Sequence, residues 1–448
     1  MKPLVHVSDS RLLGHLFSTP EMKAVWSDEA TLKAWLDVEA ALARVQARLG
    51  VIPRAAGDAI ADACLPEHHD LADLGKAIAK ASHPLTPVIA SVEKFAGKHA
   101  PFVHFGATTQ DIMDTGTVLQ IRGGLNLVVK SLASLRAACL AHAKRWRDLP
   151  MAGRTHGQHA VPITLGLKFA LWAREAHEAM TSLTGLESRL PVQFAGAAGT
   201  LATLGSDGAN VRGALASALG LQDPGASWHT NRAQFANIVC QLSIAAALCG
   251  KIANEIVNLQ RTEIGELAEG AAPGAGGSST MPQKRNPMMA QNIVALARLM
   301  ATKPAAAIEA TMHEHERDMA AWTMEWAVIP ESFVLSHAAL EPTVRLVENV
   351  VVDEARIAAN LNLTGGLICA EAVMMDLAAD LGRNEAHHAV KDLIAALPGS
   401  GQSFAEALAV HPEIGKLRSP QQIAALLDPA NYTGESAGVV DRIIAELG

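Results

Sequence analysis

Five stretches of this chain keep helical periodicity over long distances: 113–148, 162–189, 232–269, 288–310 and 325–350. Several run past the ~25 residues at which an isolated globular helix becomes unusual. They are also too apolar to be solvated on every face, so they need other helices to pack against, as in a bundle. Apolar residues make up 49% of the chain but aromatics only 4%, with Tyr432 the single tyrosine. The apolar content is therefore alanine and leucine, which favour helices, rather than the β-branched and aromatic mix of sheets. Strand signals are almost absent. The expected fold is all-α.

Helix stops divide the chain. Ser27 and Asp28 can cap a helix whose Leu32, Trp35, Leu36, Ala40 and Ala43 share one face, and Gly50 with Pro53 ends it. PFVHFGATTQD (101–111) then interrupts the periodicity. From Val351 onward shorter helices alternate with LTGG, LPGSG, HPEIG and LDPANYTG. This punctuation predicts three helical domains: 1–105, a central long-helix bundle over 106–350, and 351–448.

Length and charge narrow the function. At 448 residues the chain is too long for one ordinary domain. Its formal charge of −8 gives no electrostatic footprint for nucleic acid, and a membrane surface is disfavoured for the same reason. No apolar run reads as long enough to span a bilayer, and MKPLVHVSDSRLL lacks the apolar core of a signal peptide. Cys64, Cys139, Cys240, Cys249 and Cys369 show no metal-ligand spacing. Free thiols suit a reducing compartment, and a cytoplasmic location is expected. HEHER (313–317) sets His313 and His315 two apart, not at the i, i+4 spacing of a helical zinc site. Neither metal nor cofactor is expected.

The stretch AEGAAPGAGGSSTMPQKRNPMMAQN (268–292) combines a glycine-rich run with a dense polar cluster. Glycines at 274, 276 and 277 allow a hinge and expose backbone N–H groups to an anion. Lys284 and Asn286 add a charge and an amide suited to a carboxylate. The pattern predicts a loop that closes over an acidic substrate.

GSSTMPQKRNP resembles the signature loop of the fumarase/aspartase superfamily, whose pattern is G-S-S-x-x-M-P-x-K-x-N, one position shorter in some branches. HFGATTQDIMDT (104–115) is similar to the family's first region, and GRTHGQHAVPIT (153–164) to its second. The resemblance implies a homotetramer with a twenty-helix core and active sites composed from different subunits. By match, Ser278 is the base and His156 the general acid. A small di- or tricarboxylate would be held by His83, Thr108, Thr109, Gln110, His159, Arg232, Ser279, Lys284, Asn286 and Gln291, with Arg317 as an anion binder. Thr109 and Asp111 taken alone also suit a helix N-cap.

Removing a proton beside a carboxylate places a second negative charge on that carboxylate, which preorganised donors must stabilise. A serine can serve as the base only where donors surround it and water is excluded. Two branches compete for the substrate. WHTNR (228–232), which ends in Arg232, resembles the 3-carboxy-cis,cis-muconate cycloisomerase branch, as do HEHERDMAAWTMEW (313–326) and FAGAAGTLATLG (194–205). There an internal carboxylate is the leaving group and no general acid is needed. His156, and His83 in ASHPLTP, instead resemble adenylosuccinate lyases, whose amine leaving group must be protonated. Gln291 stands where those lyases carry a glutamate beside the acid histidine. The cycloisomerase-like reading leads, with a fumarate-releasing C–N lyase as the alternative.

Overall fold

The computed structural model describes residues 6–270, 281 and 283–448. Its elements are overwhelmingly helical, in agreement with the all-α expectation. The long periodic stretches become the helices Thr109–Arg145, Leu165–Glu187, Ala233–Leu259, Met288–Met300 and Met319–Glu348, but 232–269 is helical only to Leu259, and Leu267–Ala268 is a short strand paired with Val351–Val352. The stretch 288–310 is broken, because Pro304 restarts it as a separate helix Lys303–Glu309. Two of these helices, Thr109–Arg145 and Ala233–Leu259, are long and apolar enough by length and composition to cross a bilayer, contrary to the sequence expectation. In the second, 61% of the apolar window is buried inside the protein, as a core helix requires.

The chain forms two compact units, each assembled from three separated segments. One comprises Met1–Leu132, Glu178–Gly250 and Asn292–Glu341. Within it the helix Asp28–Leu49 starts at Ser27, whose Oγ accepts the Ala30 N–H at 3.2 Å. It stops at Gly50, whose φ of +79° is left-handed. Leu32, Leu36, Ala40 and Ala43 are buried, while Trp35 is half-buried. Further into this unit, Ile112, Ile121 and Leu125 of the Thr109–Arg145 helix are fully enclosed with Phe333. Gly124 lets the Phe333 ring lie close against the helix: a Cβ there would stand 2.6 Å from that ring.

The other unit comprises Ala133–His177, Lys251–Gln291 and Pro342–Gly448. It holds the main departure from helix, an antiparallel hairpin of Pro150–Thr155 and Gln158–Thr164. Pro162 lies inside the second strand, and proline is a signal against strand, which hid the hairpin from pattern reading. Ala152 packs with Leu361, Ile368, Cys369 and Ala372. A second cluster, Val373, Leu377, Val390, Leu393, Phe404, Leu408 and Ile423, unites the short C-terminal helices. Ser403 with Glu406, and Ser419 with Gln422, cap two of these helices reciprocally.

Candidate active site

In the first unit a set of donors gathers at the N-terminus of the Thr109–Arg145 helix. Thr108 and Thr109 are half-buried there, where the helix dipole favours an anion. His83 Nδ1 accepts the Thr86 N–H at 3.1 Å, so a neutral ring carries its proton on Nε2. That Nε2 lies 3.4 Å from Thr109 Oγ1. Arg317 is half-buried, and its Nε donates to Gln110 Oε1 at 2.8 Å. Its Nη2 donates to the Ala197 carbonyl at 3.0 Å. Gln110 is fully buried and donates from Nε2 to the His229 carbonyl at 3.0 Å. Both ends of its amide are thus engaged by protein, so Gln110 acts as a bridge rather than as an open substrate ligand.

Behind these donors lie buried acids. Asp111 is in the first helical turn, fully enclosed, and accepts from three backbone N–H groups and His229. It is a junction between segments, a larger role than the helix N-cap considered from sequence. Arg232 requires a correction. Its side chain is wholly enclosed, and it meets Asp114 through Nη1 at 2.7 Å and Nη2 at 3.0 Å, and Glu325 through Nε at 2.9 Å. Burial works against its charge, but Asp114 and Glu325 hold the guanidinium charged, above its ordinary range. Such a group ties together the helices that carry the acids, and no part of it is open to solvent. One cation serves two carboxylates, and burial leaves the Glu325 carboxyl raised despite Arg232.

At the start of the first region, His104 Nδ1 is 2.6 Å from the buried Glu39 carboxylate. Burial opposes the imidazolium, yet the charge and hydrogen bond of Glu39 raise His104 above the ordinary histidine range. The motif showed neither Glu39 nor Glu325 as a partner. No local spacing could have revealed them, because each pairing spans tens of residues or more.

The second unit places the other candidates. His156 and Gly157 form the two-residue turn of the hairpin, with Thr155 paired to Gln158. Their φ values of +53° and +76° are those of a type I′ turn. His156 is exposed at the tip, and as a non-glycine residue in the left-handed region it carries backbone strain. His159, on the returning strand, is half-buried, and burial followed by the charge of Arg154 lowers its pKa. Arg154 is clamped by the enclosed Glu266 carboxylate through Nη1 at 2.8 Å and Nη2 at 2.6 Å, while Asn360 donates to the same carboxylate at 2.9 Å. Lys284 is exposed, Asn286 half-buried, and Gln291 exposed on the Met288–Met300 helix. Glu269 caps that helix, accepting the Met289 and Ala290 N–H groups at 3.2 and 2.9 Å. Ser278 and Ser279 lie outside the described residues. No group of three His, Cys, Asp or Glu suited to a metal ion occurs among the described residues.

An all-helical chain that presents hydroxyl, imidazole and guanidinium donors at a helix N-terminus has the equipment of a lyase for anionic substrates. Comparison with known proteins agrees. The lyase family model matches residues 16–301, and the adenylosuccinate lyase C-terminus model matches 366–443. The chain belongs to this lyase family, within the fumarase/aspartase superfamily. It is 38% identical over 443 residues to 3-carboxy-cis,cis-muconate cycloisomerase of Bradyrhizobium diazoefficiens, covering 98% of each chain. It is 37% identical over 442 residues to N-acetyl-S-(2-succino)cysteine lyase of Enterococcus italicus, covering 98% of this chain and 97% of that one. The crystal structure of the 3-carboxy-cis,cis-muconate lactonizing enzyme from Pseudomonas putida superposes with a TM-score of 0.91 at 37% identity, covering 98% of this chain and 99% of that one.

Proposed function

We propose that the chain catalyses β-elimination and its reverse addition on a carboxylate-rich small molecule, acting as a 3-carboxy-cis,cis-muconate cycloisomerase that interconverts a muconate and its lactone. The observation that carries this reading is full-length likeness to cycloisomerases of that name in sequence and fold. In the lactone-opening direction Ser278, as an alkoxide, takes the proton from the carbon beside a carboxylate. The charge that builds on that carboxylate is met by Thr108, Thr109, His83 Nε2–H, Ser279, Lys284 and Asn286, with Arg317 on a second carboxylate. The C–O bond then breaks and the lactone oxygen leaves as a carboxylate. In the forward direction that carboxylate adds to the double bond and Ser278 returns the proton to carbon.

A second reading is favoured by His156, whose imidazole stands exposed at the hairpin tip. The likeness to a lyase named for an S-succinylated cysteine supports a C–S leaving group, and the match to the adenylosuccinate lyase C-terminus a C–N one, which His156 would protonate as fumarate forms. In both readings the protein is a cytoplasmic homotetramer with a twenty-helix core, composite active sites and the three-part division 1–105, 106–350 and 351–448. It uses neither metal nor cofactor and engages neither nucleic acid nor membrane.

The deciding experiment follows the ultraviolet absorbance of the conjugated double bond with 3-carboxymuconate, and with N- and S-succinyl compounds, for wild type and Ser278→Ala. Turnover of one substrate class, abolished in a variant that assembles normally, is expected. Unchanged turnover in Ser278→Ala removes the serine from the mechanism.

A further inference from the structure

Everything that orients Arg317 converges on one buried carboxylate. Asp111 Oδ1 accepts the Ala195 N–H at 3.0 Å and His229 Nε2–H at 2.8 Å. Its Oδ2 accepts the N–H groups of Thr108 and Gly196, both at 3.0 Å. Two routes run from there to the guanidinium. His229, fixed by its ring on Asp111, gives its carbonyl to Gln110 Nε2 at 3.0 Å, and Gln110 Oε1 takes Arg317 Nε at 2.8 Å. The Ala195–Gly196 backbone, fixed by its N–H groups, leads to the Ala197 carbonyl, which takes Arg317 Nη2 at 3.0 Å. Gly196 turns at φ +74°, a conformation that glycine adopts without strain.

We propose that Asp111 is the positioning residue of this site, setting Arg317 through the His229–Gln110 and Gly196–Ala197 routes and Thr108 through its backbone N–H. The inference rests on the reading of Arg317 as a carboxylate binder. A carboxylate out of water needs several donors to persist, and these four meet both oxygens. A carboxamide replaces it only in part: whichever way it is turned, its Nδ2–H₂ faces at least one backbone N–H, that of Ala195 or those of Thr108 and Gly196. With both routes fixed, the guanidinium plane is set before an anion arrives, and an arginine held in this way loses less entropy on binding.

The test uses the full-length protein and two variants, with intact folding confirmed by thermal unfolding. Asp111→Ala removes the acceptors of both routes, and Gln110→Met breaks only the first, which keeps the proposal falsifiable if the former does not fold. Phenylglyoxal modification of Arg317, followed by peptide mass spectrometry against the exposed Arg54, needs no substrate. Loss of the fixing hydrogen bonds should speed modification of Arg317 at least ~threefold while Arg54 stays unchanged. With turned-over substrate, KM should rise about tenfold with kcat little changed, and far less in an Arg317→Ala background, because the effects are coupled. Unchanged labelling of Arg317, or additive effects on KM, overturns the proposal. Failure of wild type to turn over any carboxylate substrate would sink the functional reading instead, and the labelling still decides the positioning role.

Discussion

His156 sits at φ +53°, where asparagine is at home and most side chains are strained. His156→Asn therefore removes the imidazole while keeping the turn, which makes it the cleaner probe of the leaving group. A stabilised carboxylate leaves unaided, so a cycloisomerase should lose about tenfold or less, whereas an amine or thiolate lyase should lose ~10²–10⁴-fold in kcat. Gln291→Glu sharpens the comparison, since an added carboxylate supports an imidazolium but repels an anionic substrate. A nearly inactive His156→Asn together with an active Gln291→Glu would select the lyase reading. Arg232 answers to a different measurement. Arg232→Met leaves Asp114 and Glu325 enclosed without a cation, a loss of about 3–5 kcal/mol. It should lower the thermal midpoint strongly, whereas normal stability with a raised KM would restore Arg232 as a substrate ligand.

Among the elements, the hairpin is where local rules and the fold part company. Two residues with positive φ, His156 and Gly157, complete a turn whose twist matches its strands. Gly157→Ala meets nothing within 4 Å, so its cost is backbone strain alone, about 1–2 kcal/mol. Activity should fall more than stability, because the strain moves His156; equal activity would show that the tip does not position the histidine. The motif THGQH was readable because its chemistry is local, but the strand around it was not, with Pro162 inside it. The Asp28–Leu49 helix was readable at both ends, since Ser27 and Gly50 carry their capping function within one turn. The 288–310 stretch was misjudged in continuity, because its apolar period runs on through Pro304 while the hydrogen bonds do not.

For the whole molecule, buried and half-buried histidines set opposing slopes of stability against pH. Burial lowers His69, His142 and His337, so their contribution is present above the ordinary imidazole value and is lost as pH falls through the lowered one. His104 is raised, so its contribution is present below the ordinary value and is lost as pH rises through the raised one. The thermal midpoint should therefore fall on mild acidification and also drift down on the alkaline side. Glu39→Gln should flatten the alkaline drift alone; an unchanged drift would exclude the His104–Glu39 pair as its source. Assembly is tested by mixing: if active sites are composite, chains impaired by Thr109→Val in the first region and by Ser278→Ala in the loop should together exceed the activity of either alone. A monomer with full activity would remove that arrangement.

The amino-acid sequence by itself determined the helical class, the positions of the long helices and the three short regions that identify the superfamily, because periodicity, capping and contiguous motifs are written within a few residues. It also singled out Thr108, Thr109, His83, His156 and Arg317. Only the tertiary structure decided what holds them. Asp111 meets His229 across 118 positions, and Arg232 meets Asp114 across 118 and Glu325 across 93. Charge pairing at such separation depends on which helices meet and how far each side chain is removed from water. Those two quantities turned Arg232 from an expected ligand into an internal counterion and Asp111 from a cap into a junction.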